Sequence, residues 1–360
     1  GNGVGNITIA GSSIISGAVG ATNTLNDIAV NGTGTSSFGS TVAVDDITFG
    51  GGATVNFAGN VTTTNDIDFA NQAATVNFAD NVNLTGSIDS TAGANGTVNF
   101  AGTSAVSGTL GITTNELAAI NFNGGAGEVV TLGGNVAATD IKIAGVGTVQ
   151  ANGTVNGAVD FDAAGTLRLA ATKDITGAII TSTADTGSLI LEGAGSIDAF
   201  GTEGTELAAF TVLGTGNIVT STGTFEAAKV TTIGGNTLNV TGAFDADAGQ
   251  TMNFAITGAT AAGGITSSLI SRIDAGAIVN IDVATGDKIV DAQQFVLVNA
   301  GNATAGVATL TTDITDNSFL VSFTQEANTE DLIVKATVAT KASAATNTNN
   351  AAVGKVFDAI

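Results

Sequence analysis

Carboxylates are the side chains of this chain whose type and spacing could support catalysis. Asp45 and Asp46 are adjacent, and Asp66 and Asp68 are separated by one residue. Because alternate residues of a β-strand point to the same face, Asp66 and Asp68 would hold two carboxylates roughly 7 Å apart. Paired carboxylates can serve as acid and base in glycoside hydrolysis. The alternative interpretation is that all four are turn or solvent-facing acids without a catalytic role.

The residue types on which most enzymes depend are missing from the chain. There is no Cys, so the chain has no disulfide, no thiolate metal site and no thiol nucleophile. There is no His, which is the usual general base and the commonest transition-metal ligand. Trp and Tyr, the usual aromatic platforms of sugar sites, are also absent. We therefore predict that the chain is not an enzyme, and we assign no catalytic, cofactor-binding or metal-binding residue.

Other candidate binding motifs fail on inspection. The stretch "GGAGEVV" at residues 124–130 lacks the Asp of the calcium-binding β-roll repeat, and no EF-hand loop occurs. Acids such as Asp245 and Asp247 could bind Ca²⁺ weakly at the surface, although solvated charge is the simpler explanation. Ser271 stands beside Arg272, but nothing beyond proximity supports a nucleophile there. We predict no cofactor.

The charge balance restricts the partners. The formal net charge is -22, from 31 acidic and 9 basic side chains, and the basic residues are scattered. Nucleic-acid binding needs clustered Lys and Arg, and a strongly negative surface disfavours anionic lipid. No run of 18 apolar residues occurs, so we expect neither a nucleic-acid partner nor direct membrane insertion. The opening "GNGVGNITIAGSSIISG" does not read as a signal peptide, and its lack of Met suggests a fragment or a processed form.

A short phrase recurs along the chain. It reads "ATVNFAGNV" at residues 53–61, "ATVNFADNV" at 74–82 and "GTVNFAGTSAV" at 96–106. The Asn before each Phe, continued in "AAINFNG", recurs in steps of 21, 22 and 22 residues: Asn56, Asn77, Asn99 and Asn121. A degenerate form of the period continues through Ile143, Leu191, Leu213, Ile233 and Phe254. The spacing is looser over residues 144–170, and the register is not fixed there.

Each phrase alternates with the period of a strand. In "TVNFA", Val55 and Phe57 fall on one face, and Thr54 and Asn56 fall on the other. One strand phrase per repeat, bounded by Gly, Asn, Asp and Ser, is typical of one coil of a solenoid. We predict an all-β, elongated parallel β-helix, or β-solenoid, with about 21–22 residues per coil. Stacked coils would place four phenylalanines in one inward column: Phe57, Phe78, Phe100 and Phe122.

The repeated asparagines allow two interpretations. They could form outward ladders in which each amide bonds to the amide of the next coil. They could instead occupy turns, where Asn tolerates left-handed backbone angles. For Asn56 and Asn77, which lie in the middle of a strand phrase, the outward ladder is the favoured interpretation.

The pattern divides the chain into three parts. Residues 1–255 carry the solenoid repeats. Residues 256–340 contain longer alternating runs, "FVLVNA", "FLVSFTQ" and "DLIVKATV", which predict a C-terminal β cap over the last coil. Residues 341–360 end in "NNAAVGKVFDAI", whose apolar spacing predicts a short terminal helix.

These three parts, in this order, resemble the passenger domain of an autotransporter. The matching segments are "NTLNVTGAF", the series "FVLVNAG…FLVSF…DLIVKAT" and "NNAAVGKVFDAI". The "TVNFAG" coils resemble the rickettsial-type outer-membrane adhesins of the surface cell antigen group. The resemblance implies a β-helical passenger, a folding-assisting (autochaperone-like) cap, and a linker leading to a translocator barrel absent from this sequence. It also implies an extracellular location on a Gram-negative outer membrane.

The expected function follows from the repeat together with that resemblance. We expect a secreted, surface-displayed structural or adhesive protein that acts through its wall and loops without catalysis. Its partners would be host-cell or neighbouring-cell surface molecules, or copies of itself. One alternative is a self-assembling subunit of a surface layer or fibre. A second is a polysaccharide-cleaving β-helix enzyme that uses Asp66 and Asp68.

Overall fold

The computed structural model describes residues 2–256, 262–269, 271–284, 289–300, 314–318, 320–326 and 331–339. In these residues the regular structure is entirely β, and parallel strands stack coil on coil. The predicted β-solenoid is confirmed, while the predicted terminal helix lies outside the described residues. The described part of the chain contains no helix long and apolar enough to cross a membrane. The chain divides into two compact units, Gly1–Glu192 with Ser196–Asp198, and Gly193–Gly195 with Ala199–Ile360.

Short strands make up the first unit. They are β1 (Asn6–Ile9), β2 (Ser13–Ile15), β3 (Leu25–Val30), β4 (Thr35–Phe38), β5 (Val42–Phe49), β6 (Thr54–Phe57), β7 (Val61–Asp68), β8 (Thr75–Phe78), β9 (Leu84–Asp89), β10 (Asn95–Phe100), β11 (Ser104–Val106), β12 (Leu117–Phe122), β13 (Val129–Leu132), β14 (Val136–Ile143), β15 (Thr148–Ala151), β16 (Val155–Phe161), β17 (Thr166–Leu169), β18 (Ile175–Thr176), β19 (Ile179–Thr181) and β20 (Ser188–Leu191). The next strand, β21 (Gly195–Ile197), lies at the boundary between the units.

Successive coils of the first unit pair in parallel and in register. Strands β4, β6, β8, β10 and β12 each pair with the next, so that Thr54 faces Thr75 and Asn56 faces Asn77. A second series, β3, β5, β7 and β9, pairs in the same way. Because the register joins equivalent residues of neighbouring repeats, like side chains stack on like.

Phenylalanine fills the interior of these coils. The rings of Phe57 and Phe78 stack with centroids 5.6 Å apart, and those of Phe78 and Phe100 at 5.3 Å. Phe100 and Phe122 follow at 5.5 Å. Phe38 extends the column by one coil, at 5.3 Å from Phe57. The predicted inward stack is confirmed, and it buries apolar surface once per coil.

One group of coils is shorter than the others, which explains the loose spacing over residues 144–170. Ile143 pairs with Phe161, 18 residues further along the chain, and Thr148 pairs with Thr166. The inward position stays apolar through the change, because Ile143 and Phe161 are both buried. The step falls from 19 to 18 residues at a register shift between Ala137 and Asp140 of β14, and the coil keeps its core residues.

The second unit consists of parallel strands followed by an antiparallel group. Its strands are β22 (Ala209–Val212), β23 (Thr215–Ser221), β24 (Phe225–Glu226), β25 (Val230–Val240), β26 (Phe244–Ala246), β27 (Thr251–Ile256), β28 (Gly264–Ser267), β29 (Ser271–Ile273), β30 (Ile278–Val283), β31 (Gln294–Asn299), β32 (Ile314–Asp316), β33 (Val321–Gln325) and β34 (Leu332–Val338). Parallel pairing joins β25 to β27, β27 to β30 and β30 to β32. Strand β34 pairs antiparallel with both β31 and β33.

The second unit refines two expectations from the sequence. Parallel pairing continues beyond residue 255, and the antiparallel strands come from the three alternating runs expected to form a cap. The division at residues 1–255, 256–340 and 341–360 itself stays a prediction. The repeat position at Leu213 is wrong by one residue. Val212 is buried in β22, whereas Leu213 follows the strand and is 38% exposed.

Candidate functional site

An amide ladder runs along the outer face of the first unit. Asn77 Nδ2 donates to Asn56 Oδ1 at 2.6 Å, Asn99 Nδ2 to Asn77 Oδ1 at 2.6 Å, and Asn121 Nδ2 to Asn99 Oδ1 at 2.7 Å. Asn56 Nδ2 donates to Ser37 Oγ at 3.4 Å, which extends the ladder by one coil. The ladder interpretation of Asn56 and Asn77 is confirmed, and the turn interpretation is wrong for both.

A column of threonines lies beside the amide ladder. Thr54 pairs in register with Thr75, and Thr75 with Thr97. Each Thr precedes a ladder Asn by two residues, so both side chains project from the same face of the sheet. We call this surface the polar wall; it comprises Thr35, Ser37, Thr54, Asn56, Thr75, Asn77, Thr97, Asn99 and Asn121. All nine side chains are uncharged.

An ion-pair cluster follows the last Asn of the ladder. Lys142 is the register partner of Asn121 on the next strand. Its Nζ lies 3.5 Å from Asp160, 3.6 Å from Asp162 and 3.8 Å from Asp140. The carboxylates, Asp140 foremost and then Asp162, raise the pKa of Lys142. The polar wall is therefore bounded on this side by charge.

Three of the four sequence-predicted acids share one face with Asp89, and we call Asp46, Asp66, Asp68 and Asp89 the aspartate face. Asp66 and Asp68 both point outward from β7, and Asp68 pairs in register with Asp89. Partial burial, followed by the charges of Asp89, Asp68 and Asp46, raises the pKa of Asp66 to about 6. Burial and the charge of Asp68 also raise the pKa of Asp89. A carboxyl whose pKa is raised towards neutral pH is the kind of group that the polysaccharide alternative requires as its acid.

Neutral donors serve the adjacent pair Asp45 and Asp46. Thr64 Oγ1 donates to Asp45 Oδ1 at 2.8 Å, and Asn65 Nδ2 donates to Asp46 Oδ2 at 3.0 Å. Both donors come from the next coil. These bonds give the two acids a structural role in joining neighbouring coils.

A second acidic group in the second unit surrounds Glu226, which the sequence did not single out. Glu226 ends β24 and is only 7% exposed. One carboxylate oxygen of each of Glu206, Glu226 and Asp247 lies within 4.8 Å of the others. We call these three the carboxylate cluster. Gln250 Nε2 donates to Glu226 Oε1 at 3.3 Å.

Residues 201–206, which we call the strap, bring Glu206 to the cluster. The strap lies between two fully buried side chains, Phe200 and Leu207. Glu226 N donates to Phe200 O at 2.8 Å, and Lys229 N donates to Leu207 O at 2.9 Å. At the start of the strap Gly201 has φ +72°, and a Cβ on it would lie 2.8 Å from the Cβ of Glu226. Only glycine fits that position without displacement.

Arg272 pairs with the acids at the side of the cluster. Its Nε lies 2.7 Å from Asp245 Oδ1, and its Nη2 lies 2.8 Å from Asp247 Oδ1. Asp245 and Asp247 are therefore ion-paired, which differs from the solvated charge expected from the sequence. Ser271, the neighbour of Arg272, is fully buried on the opposite face of β29, so the structure separates the two side chains.

Burial gives Glu226 an unusual proton affinity. Desolvation raises the pKa of Glu226 to about 8, with smaller contributions from Asp245, Asp247 and Glu206, against a lowering by the Gln250 amide. The carboxyl therefore keeps its proton to a higher pH than an exposed Glu does. The spacing of the three carboxylates alone does not identify a cation site, and Arg272 already supplies positive charge to Asp247. We assign no metal to the cluster.

Sequence reasoning missed Glu226 and Glu206 for a structural reason. The phrase "GTFEAAKV" places Glu226 directly after an inward Phe, which predicts an outward and solvated side chain. The strap has a counterpart at residues 111–116 of the first unit, where Gly111 also has positive φ and Ile112 also bridges Asn115, but the position that corresponds to Glu226 is Ala137 there. The one available signal was the glycine-punctuated acidic phrase "GTEGTE" at residues 201–206.

In comparisons with known proteins, no family model matches this chain, and no curated protein matches it.

Proposed function

We propose that this chain is a surface-displayed structural and adhesive protein that binds through its polar wall and does not catalyse a reaction. The observation that supports the proposal is the amide ladder, in which each Asn side chain is held by the Asn of the next coil. The partner would be a polar, uncharged molecule of a host-cell or neighbouring-cell surface. An extracellular location on a Gram-negative outer membrane belongs to the same proposal.

The chemistry of the polar wall supports recognition of such a partner. Each ladder Asn uses one N–H and one oxygen lone pair along the ladder, which leaves a second donor and acceptor for a ligand. The ladder bonds also fix the side-chain rotamers, so less conformational entropy is lost on binding. In a chain of net charge -22, an uncharged wall lets an anionic cell surface approach with less repulsion.

Binding to cultured cells tests the proposal. Replacing Thr75 and Thr97 together by Glu would place two larger, anionic side chains on the polar wall, and we expect binding to fall at least tenfold. The matched control replaces Thr62 and Thr85 by Glu. These two threonines are exposed register partners on β7 and β9, outside the polar wall, and their replacement should leave binding unchanged. Equal binding by wild type and an unrelated acidic protein would refute adhesion.

Self-assembly into a layer or fibre is the second candidate. The lack of charge on the polar wall favours it, because two copies could approach there with less like-charge repulsion. Sedimentation velocity at high protein concentration, with and without Ca²⁺, tests this candidate. We expect oligomers in wild type that the Thr75 and Thr97 double variant loses. A strict monomer under both conditions would eliminate the candidate.

A further inference from the structure

We propose that the strap over Glu226 is a pH-sensitive closure, held shut while the Glu226 carboxyl carries its proton and loosened when that carboxyl ionises. The proposal concerns the second unit alone and is independent of the adhesive function. It depends on three geometric features: the burial of Glu226, the position of Glu206 on the strap, and the backbone contacts at the two ends of the strap.

The buried carboxyl lies among other acids. Glu206 faces it from the strap, and Asp245 and Asp247 face it from β26 and the turn that follows. Arg272 on β29 bonds to Asp245 and Asp247. A charged Glu226 would therefore be desolvated and would repel three neighbouring acids, and Arg272 offers its shortest contacts to two of those neighbours.

Two further acids lie near Arg272 but do not reduce the cost of ionising Glu226. Glu203 lies on the strap with its side chain 75% exposed, at 3.7 Å from Arg272 Nη2. Asp274 on the far side of Arg272 lies 3.9 Å from its Nε. Both acids pair with Arg272, and neither brings a positive charge close to Glu226. The Gln250 amide bonds to Glu226, but an amide donor replaces little of the hydration that a carboxylate loses on burial.

The strap is exposed in its middle and has few backbone hydrogen bonds of its own, which are features of a segment that can move. Its residues 202–204 are exposed, and its local backbone bond runs from Thr205 N to Thr202 O at 2.9 Å. Glycines with positive φ lie at both Gly201 and Gly204. A short loop that is anchored at its ends and exposed in the middle can open without unfolding the coils beneath it.

Proton linkage sets the direction of the response. With the strap closed the pKa of Glu226 is about 8, and with the strap open it returns towards the ordinary value of 4.5. Below pH 4.5 both states hold the proton, so the closed state has its full stability. Between the two pKa values the open state releases a proton that the closed state keeps, so opening rises by up to about tenfold per pH unit. Above the higher pKa the response levels off.

Hydrogen–deuterium exchange of the intact chain, corrected for intrinsic exchange rates, tests the proposal. The reporters are peptides containing the amide of Thr205, whose bond to Thr202 O lies within the strap. In wild type we expect their opening constant to rise by at least a hundredfold between pH 5 and pH 8. Glu226→Gln should abolish the rise and keep the low-pH value, because an amide does not ionise.

A matched variant and a direct titration complete the test. Glu203→Gln removes a charge from the exposed part of the strap and should keep the wild-type pH profile. Carbon NMR of the Glu226 carboxyl should give a midpoint near 8. A pH-independent opening constant in wild type, an unchanged rise in Glu226→Gln, or a midpoint below 6 would each overturn the proposal.

Discussion

Two outward columns of this molecule stack polar side chains from successive coils, and they satisfy those side chains with different chemistry. In the first unit, the amide ladder stacks Asn on Asn through four coils. In the second unit, a column of outward positions on β24, β26 and β29 carries Glu226, Asp245 and Arg272. Inward phenylalanine rings stack next to both columns. The interiors are therefore alike, and the difference lies on the outer face.

The comparison shows why repetition suits amides better than carboxylates. An amide donates and accepts, so a column of identical Asn side chains satisfies itself at every step. A carboxylate only accepts, so a stack of acids needs a cation or a proton. In the second unit, Arg272 supplies the cation for Asp245, and the raised pKa of Glu226 indicates a retained proton.

The largest expected effect tests the shared interior. Phe78→Ala and Phe225→Ala each remove a fully buried ring from a stack, and each should lower the free energy of unfolding by about 3–5 kcal/mol. Chemical denaturation followed by circular dichroism measures both. Similar losses would support equivalent interiors. A loss below about 1 kcal/mol for either variant would show that its ring contributes little to the core.

The second effect concerns the charged column. Glu226→Gln should raise the free energy of unfolding at pH 8.5 by about 2–4 kcal/mol, because the unfolded chain ionises this carboxyl while the folded chain resists ionisation. The gain should shrink as the pH falls and vanish below about 4.5, the ordinary pKa of Glu. Denaturant titrations at a series of pH values measure it. Glu203→Gln serves as the control and should change little, since that side chain is 75% exposed.

The third effect introduces the chemistry of one column into the other. Asn77→Asp leaves an acceptor for Asn99 but removes the donor to Asn56. At pH 7 the variant should lose about 1–3 kcal/mol, since one amide oxygen loses its partner and a charge enters a half-buried ladder. Below about pH 4 the protonated carboxyl can donate again, so part of the loss should be recovered. An equal loss at both pH values would argue against the ladder as a donor–acceptor chain.

The sequence predicted the neutral column well and the charged column poorly, for a physical reason. Repetition of "TVNFA" fixes strand period, coil length and stacking partner together, so Phe57 over Phe78 and Asn56 over Asn77 follow from spacing alone. Glu226 is buried although its strand position predicts an exposed side chain, because its neighbours Gly201, Glu206 and Gln250 come together only in three dimensions. A similar limit applies to the 18-residue step from Ile143 to Phe161, where the register shifts within β14 without a change of core pattern.

The smallest expected effect tests whether the degree of burial explains the different pKa values of Asp66 on the aspartate face and Glu226 in the carboxylate cluster. Asp66 lies on the half-exposed aspartate face, where burial comes first among the causes that raise its pKa to about 6, and the described residues supply it no ion pair. Asp66→Asn should stabilise the chain at pH 7.5 by less than about 1 kcal/mol, because solvent screens a half-exposed charge. The gain should fade as the pH drops through 6 and be absent below about 4, where the folded and unfolded chains both hold the proton. Denaturation at pH 4 and pH 7.5 measures it, with Asp45→Asn as a control that instead loses the bond from Thr64. If Asp66→Asn stabilised the chain as strongly as Glu226→Gln, like-charge repulsion would outweigh burial, and the strap would lose its special role in raising proton affinity.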